Sequence, residues 1–221
     1  MKGKLKLLHI VLLGAAFLMV TTIANGGIKT SKHDLSSTGP GVDLGAGICD
    51  VCHTPHSAQA SIAPLWDHEQ VGGVFTTYGA DSATLDATAP ATAIAQPSGV
   101  SLLCLSCHDG TLGMENFGGT TGGVANLIVG PANLTKDISD DHPVGFTYDD
   151  ALATADGALW PPTTTVSGIS AADHIDDDML FGGGNDQLEC ASCHDVHDPT
   201  NTPFLRKANT NSDLCLTCHN K

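Results

Sequence analysis

Apolar positions along the chain fall into one long run and many short ones. The long run, Leu7 to Val20, is interrupted only by His9 and follows Lys2, Lys4 and Lys6; small residues around Ala24 to Gly26 come after it. A basic start, an apolar stretch of this length and small residues behind it predict a secretory signal peptide over residues 1–25. His9 leaves with it. A membrane anchor needs about 20 apolar residues, and no later run reaches that, so no span is expected after signal removal. Beyond the run, no segment sustains helical or strand periodicity for long. Short helices are expected at four Cys-bearing segments, most clearly Leu188 to Val196. Short strands are expected at Asn126 to Val129 and Thr163 to Val166. Residues 80–100, with Pro90 and Pro97, and residues 149–187, with Asp176-Asp177-Asp178 and Gly182 to Gly184, read as irregular coil. Gly118 to Gly123 reads as a turn cluster.

Composition sharpens this picture. The chain has 221 residues, of which only 5% are aromatic, while Gly, Pro, Ser and Thr make up about a third. That is one domain's length, taken here as residues 26–221, with few of the side chains that fill an ordinary core. Something besides side chains has to fill the interior. The formal net charge is -15, and removal of three signal-peptide lysines makes the mature chain more acidic still. An acidic surface repels a phosphate backbone, so nucleic-acid binding is excluded.

The eight cysteines supply the missing ingredient. All lie in one spacing: Cys49-Asp-Val-Cys52-His53, Cys104-Leu-Ser-Cys107-His108, Cys190-Ala-Ser-Cys193-His194 and Cys215-Leu-Thr-Cys218-His219. An exported chain uses cysteines by default for disulfides, and paired C-x-x-C units also build zinc sites. Neither use requires His after the second Cys. Four such placements by chance have a probability on the order of 10⁻⁵, which favours the C-x-x-C-H haem-attachment reading. Two thiols three residues apart on one helical turn reach the two vinyl groups of a porphyrin, and the next residue aims its imidazole at the iron. Four units imply four covalent c-type haems. Burying four large apolar discs provides the hydrophobic stabilisation that the side chains do not, and the haem-free protein is expected not to fold.

Four six-coordinate irons need eight axial ligands. His53, His108, His194 and His219 supply the proximal four. Methionine is an alternative sixth ligand, but the mature chain has only Met114 and Met179. Six histidines remain: His33, His56, His68, His142, His174 and His197. The arithmetic favours bis-histidine ligation throughout, with low potentials and no open iron. His56 follows His53 by three residues, and His197 follows His194 by three. Such neighbours share a face on a helical turn, so the second His is expected to serve a different haem and to tie two haems together. His33 and His142 sit in short turns, where Asp34 and Asp141 are candidates to orient the rings. His68 and His174 stand second to these four; Trp66 is expected to pack on a haem and His174 to be solvated. The aspartate clusters are candidates for Ca²⁺, but no D-x-[DN]-x-[DN]-G loop is present, and an acidic exterior is the simpler reading.

Taken together, Ser31-Lys-His-Asp-Leu35, Cys49-to-His56, Pro64-Leu-Trp66, Leu103-to-Gly110, Asp141-His-Pro-Val-Gly-Phe146, Cys190-to-His197 and Leu214-to-Asn220 resemble secreted tetrahaem c-type cytochromes. They are similar in particular to the OmcE-like extracellular cytochromes, which polymerise into haem-bearing nanowire filaments. The resemblance touches both ends and the centre of the mature chain, but not residues 80–100 or 149–187. It implies a multihaem cytochrome c fold of mostly irregular coil, with short helices at the attachment motifs and a few short strands, wrapped around four closely packed haems. It also implies His33, His56, His142 and His197 as distal ligands, and one axial His, taken here as His56, donated across a homopolymer boundary. Electron transfer at the cell surface or outside the cell follows, with redox cytochromes or extracellular acceptors as partners and no enzymatic activity. A monomeric periplasmic shuttle and a multihaem reductase are the alternatives.

Overall fold

The computed structural model describes residues 27–56, 58, 65–70, 72–79 and 96–221. The expected signal peptide and most of the 80–100 loop lie outside these residues. Regular structure is sparse, as the broken hydrophobic pattern predicts. In chain order it consists of β1 (Thr76–Thr77), α1 (Gly99–His108), β2 (Asp137–Ile138), β3 (Phe146–Thr147), α2 (Asp150–Asp156), α3 (Ile175–Met179), β4 (Gln187–Leu188), α4 (Cys190–Cys193) and α5 (Cys215–Cys218), with two short 3₁₀ turns. β1 pairs in parallel with β2, and β3 antiparallel with β4. No helix among the described residues is long and apolar enough to cross a membrane.

Several sequence expectations are corrected. Residues 126–129 and 163–166 are not strands; of the second group only Val166 forms an isolated bridge, to His174. The helix expected over 188–196 shrinks to α4, because Leu188 pairs in the β3–β4 ribbon and His194 is extended, with φ -113° and ψ 138°. The first attachment motif forms a hydrogen-bonded turn instead of a helix, closed by His53 N–H donating to Cys49 O at 2.9 Å.

The largest correction concerns residues 149–187. Read as acidic coil, they contain α2 and α3 and supply most of the main apolar cluster. Asp149 caps α2 by accepting from Leu152 N–H at 2.8 Å, and Gly157 ends it at φ 72°, a left-handed conformation that glycine adopts without strain. Leu152, Ala153, Ile175, Met179 and Leu180 from this stretch pack with Tyr148, Leu188 and Leu214. Most of the acids lie outward of that cluster, and apolar residues three or four apart go inward. A second cluster, Phe75, Leu105 and Ile138, is much smaller.

Candidate haem-attachment site

Each attachment motif is pinned by backbone bonds to a segment remote from it. His53 bridges Trp66, His194 bridges Leu205 and His219 bridges Leu159, while Leu134 N–H donates to His108 O at 2.7 Å. The backbone of each proximal histidine is therefore held by a contact outside its own turn. Tyr148 reinforces the last motif: its buried hydroxyl donates to Trp160 O at 2.5 Å and lies 3.4 Å from Cys218 O.

No disulfide joins any of the eight cysteines. Burial pushes Cys52 up to about 11 and Cys107 and Cys218 up to about 12, so these sulfurs sit uncharged in apolar surroundings that suit a thioether. The same residues show which motifs adjoin. After burial, the Cys52 thiol adds to the rise at Cys107, and Cys193 adds to the rise at Cys218. Cys104 is raised well above its ordinary value, first by a hydrogen bond shared with Cys190 and then by burial. Motif one thus adjoins motif two, two adjoins three, and three adjoins four.

The histidine rings test whether haem fits. An imidazole nitrogen bonds a metal at about 2 Å and lies about 1 Å from its own ring centre, so rings on opposite faces of one iron have centres about 6 Å apart. The structure sets His33 and His108 at 6.0 Å, His53 and His197 at 6.3 Å, and His142 and His219 at 6.3 Å. Each pair joins one motif histidine to one of the four sequence-nominated distal candidates. The donor set and its spacing fit. Neither His194 nor His56 has such a ring partner among the described residues.

Second nitrogens are placed accordingly. His108 Nδ1 lies 2.7 Å from Ala132 O, His194 Nδ1 2.9 Å from Pro203 O and His142 Nδ1 3.0 Å from Pro143 O. A nitrogen facing a carbonyl carries the proton, which leaves the Nε2 lone pair for a metal. His33 is half-buried, and that burial lowers its pKa to about 4, with His108, His197 and His194 adding to the drop. Its Nδ1 is buried without a hydrogen-bond partner. Neutral and unpartnered, this ring is in the state a metal ligand needs. The T-shaped Phe204 ring, 4.7 Å away, holds it.

Some orienting roles fall elsewhere than the sequence suggests. Asp34 does not orient His33. Its carboxylate accepts from Ser36 Oγ at 2.5 Å, Thr30 N–H at 2.8 Å and Thr38 Oγ1 at 2.9 Å, closing the turn that carries His33. The Pro143 carbonyl, not Asp141, faces His142 Nδ1. His197 sits 3.5 Å from Asp195, and because His194 is extended, His197 faces His53 and not the motif beside it. Trp66 stands edge-on to His53 at 6.1 Å with its buried Nε1 unpartnered.

His68 is 1% exposed, and its two nitrogens lie 3.0 Å from Glu69 O and 3.1 Å from Gly113 O. It serves as a tie between loops. His174 is partly exposed and precedes α3; its ring and the Asp176 and Asp177 carboxylates bring donor atoms within 4.8 Å of one another. Sequence reasoning missed Glu189 and Ser101. The only signal for Glu189 is its place directly before Cys190 at a helix start.

Residues 183–221 match the family described as "Doubled CXXCH motif". No curated protein matches the chain. The matched stretch, which holds the third and fourth units, is a multihaem c-type cytochrome-like region. Its C-x-x-C-H units imply covalent haem c and suit electron transfer.

Proposed function

We propose that the mature chain, residues 26–221, carries electrons along four covalent haems, each held by two histidines, as a subunit of an extracellular filament. A haem iron with histidine on both faces exchanges single electrons and has no position for a substrate, so the chain is a carrier and not a reductase. The thioether cysteines are the eight motif cysteines. His33 pairs with His108, His197 with His53 and His142 with His219. The succession of adjoining motifs, one to four, supports a continuous path through the subunit.

The observation that carries the polymer reading is what remains over. Once three pairs are formed, His194 and exposed His56 are left, and no ring within the described chain faces either. A second copy that presents His56 to His194 would complete the fourth site and join the subunits. The outward carbonyl contact of His194 Nδ1 leaves its other nitrogen available for that purpose.

Negative-stain electron microscopy of secreted material tests this directly. Thin filaments are expected from the wild type and only small particles from His56→Ala, with haem attachment intact by mass. Small particles alone from the wild type would favour the monomeric periplasmic shuttle, and filaments from His56→Ala would remove the trans ligand.

A further inference from the structure

Glu189 is a buried acid that the haem reading does not use. It is 3% exposed, and the residues it meets, Ser101 and Ser192, are fully enclosed. Burying a carboxylate is costly unless donors surround it, and here they come from another attachment helix. Ser101, on α1, donates both its hydroxyl and its backbone N–H to Glu189 Oε2, the latter at 3.2 Å. The same hydroxyl accepts from Cys190 N–H at 3.0 Å. Glu189 N–H in turn donates to Ser192 Oγ at 2.9 Å, inside the third motif. A chain of hydrogen bonds therefore runs from the helix bearing Cys104 and Cys107 to the turn bearing Cys190 and Cys193.

The backbone accommodates the strut. Gly99, at φ 48°, begins α1 where an added Cβ would stand 3.0 Å from Glu189 Oε1. The two thiols nearest the strut, Cys104 and Cys190, are in hydrogen-bond contact.

We propose that Glu189 is a positioning residue: through Ser101 it fixes the third attachment turn against the second, and so sets the mutual orientation of the haems attached there. The inference rests on the four-haem reading. A purely local cap on α4 would involve Ser192 alone and would not need partners 88 residues away in sequence.

The experiment uses holoprotein of the wild type, Glu189→Gln, Ser101→Ala and the double variant. Haem count is read by mass and haem–haem orientation by the exciton couplet in Soret-region circular dichroism. Four haems are expected in every variant, with loss of couplet amplitude in both single variants and no further loss in the double variant, because both substitutions break one strut. An unchanged couplet in Ser101→Ala, or additive losses in the double variant, overturns the proposal. If Glu189→Gln loses a haem, Ser101→Ala alone decides, since it removes one hydroxyl and keeps the charge. Fewer than four haems in the wild type would instead refute the haem reading on which the proposal stands.

Discussion

Residues 27–147 and residues 148–221 hold two attachment motifs each, yet they are built differently. The second region encloses Tyr148, Leu152, Ile175, Met179, Leu180, Leu188 and Leu214 in one apolar cluster, with Cys193 and Cys218 at its margin. Among the described residues the first has a smaller cluster, Phe75, Leu105 and Ile138, with Val51 and Leu103 buried outside it, and its turns are closed mainly by polar side chains such as Asp34 and Asn116. Asn116 is fully buried and donates to Gly113 O and Gly123 O at 2.8 and 2.7 Å. Hydrogen bonds of this kind specify a turn but contribute only about 1 kcal/mol each. One region thus has an interior of its own, while the other, on the four-haem reading proposed above, would borrow its interior from the haems.

The largest effect expected from this contrast comes from preventing attachment in the first region. Replacing Cys49, Cys52, Cys104 and Cys107 with Ser should abolish slow amide hydrogen exchange across residues 27–147, while α2 and α3 keep theirs. Equal loss in both regions, or retained protection in the first, would erase the distinction.

A smaller effect sharpens it. In that same four-serine variant, Ile175→Ala should destabilise the remaining unfolding transition by about 2–5 kcal/mol, since Ile175 is fully enclosed and its removal leaves a cavity. A denaturant midpoint that does not move would show that the cluster is not what holds the second region.

The smallest effect is electrostatic. Burial pushes the Asp178 pKa up, but hydrogen bonds from Ser167 and Ser170 and the Arg206 charge together carry it below the usual carboxylate range. A group held low in the folded state binds protons more readily when unfolded. Its contribution is therefore complete above about pH 4 and lost as pH falls through the folded value. Asp178→Asn should flatten part of the fall in melting temperature between neutral pH and pH 3. A variant that tracks the wild type across that range would assign the acid sensitivity elsewhere.

Much of the chemistry was legible in the sequence because spacing encodes it. Four C-x-x-C-H units mark eight cysteines and four histidines as candidates for attachment and proximal ligation, and counting leaves few distal candidates. Pairing was not legible. His197 reaches His53 because the backbone straightens at His194, and nothing local announces that turn. The core under residues 149–187 was hidden because its aspartates dominate the composition, while Leu152, Ile175 and Met179 are dispersed between them. Glu189 was hidden for a related reason: its partner, Ser101, lies 88 residues away.

The pairing of histidines is the central claim, and electron paramagnetic resonance of the oxidised holoprotein tests it most directly. His33→Ala, His142→Ala and His197→Ala should each convert one low-spin haem to high-spin, with a different low-spin signal lost in each variant. Spectra that stay fully low-spin in all three variants, or that lose the same signal in each, would contradict it.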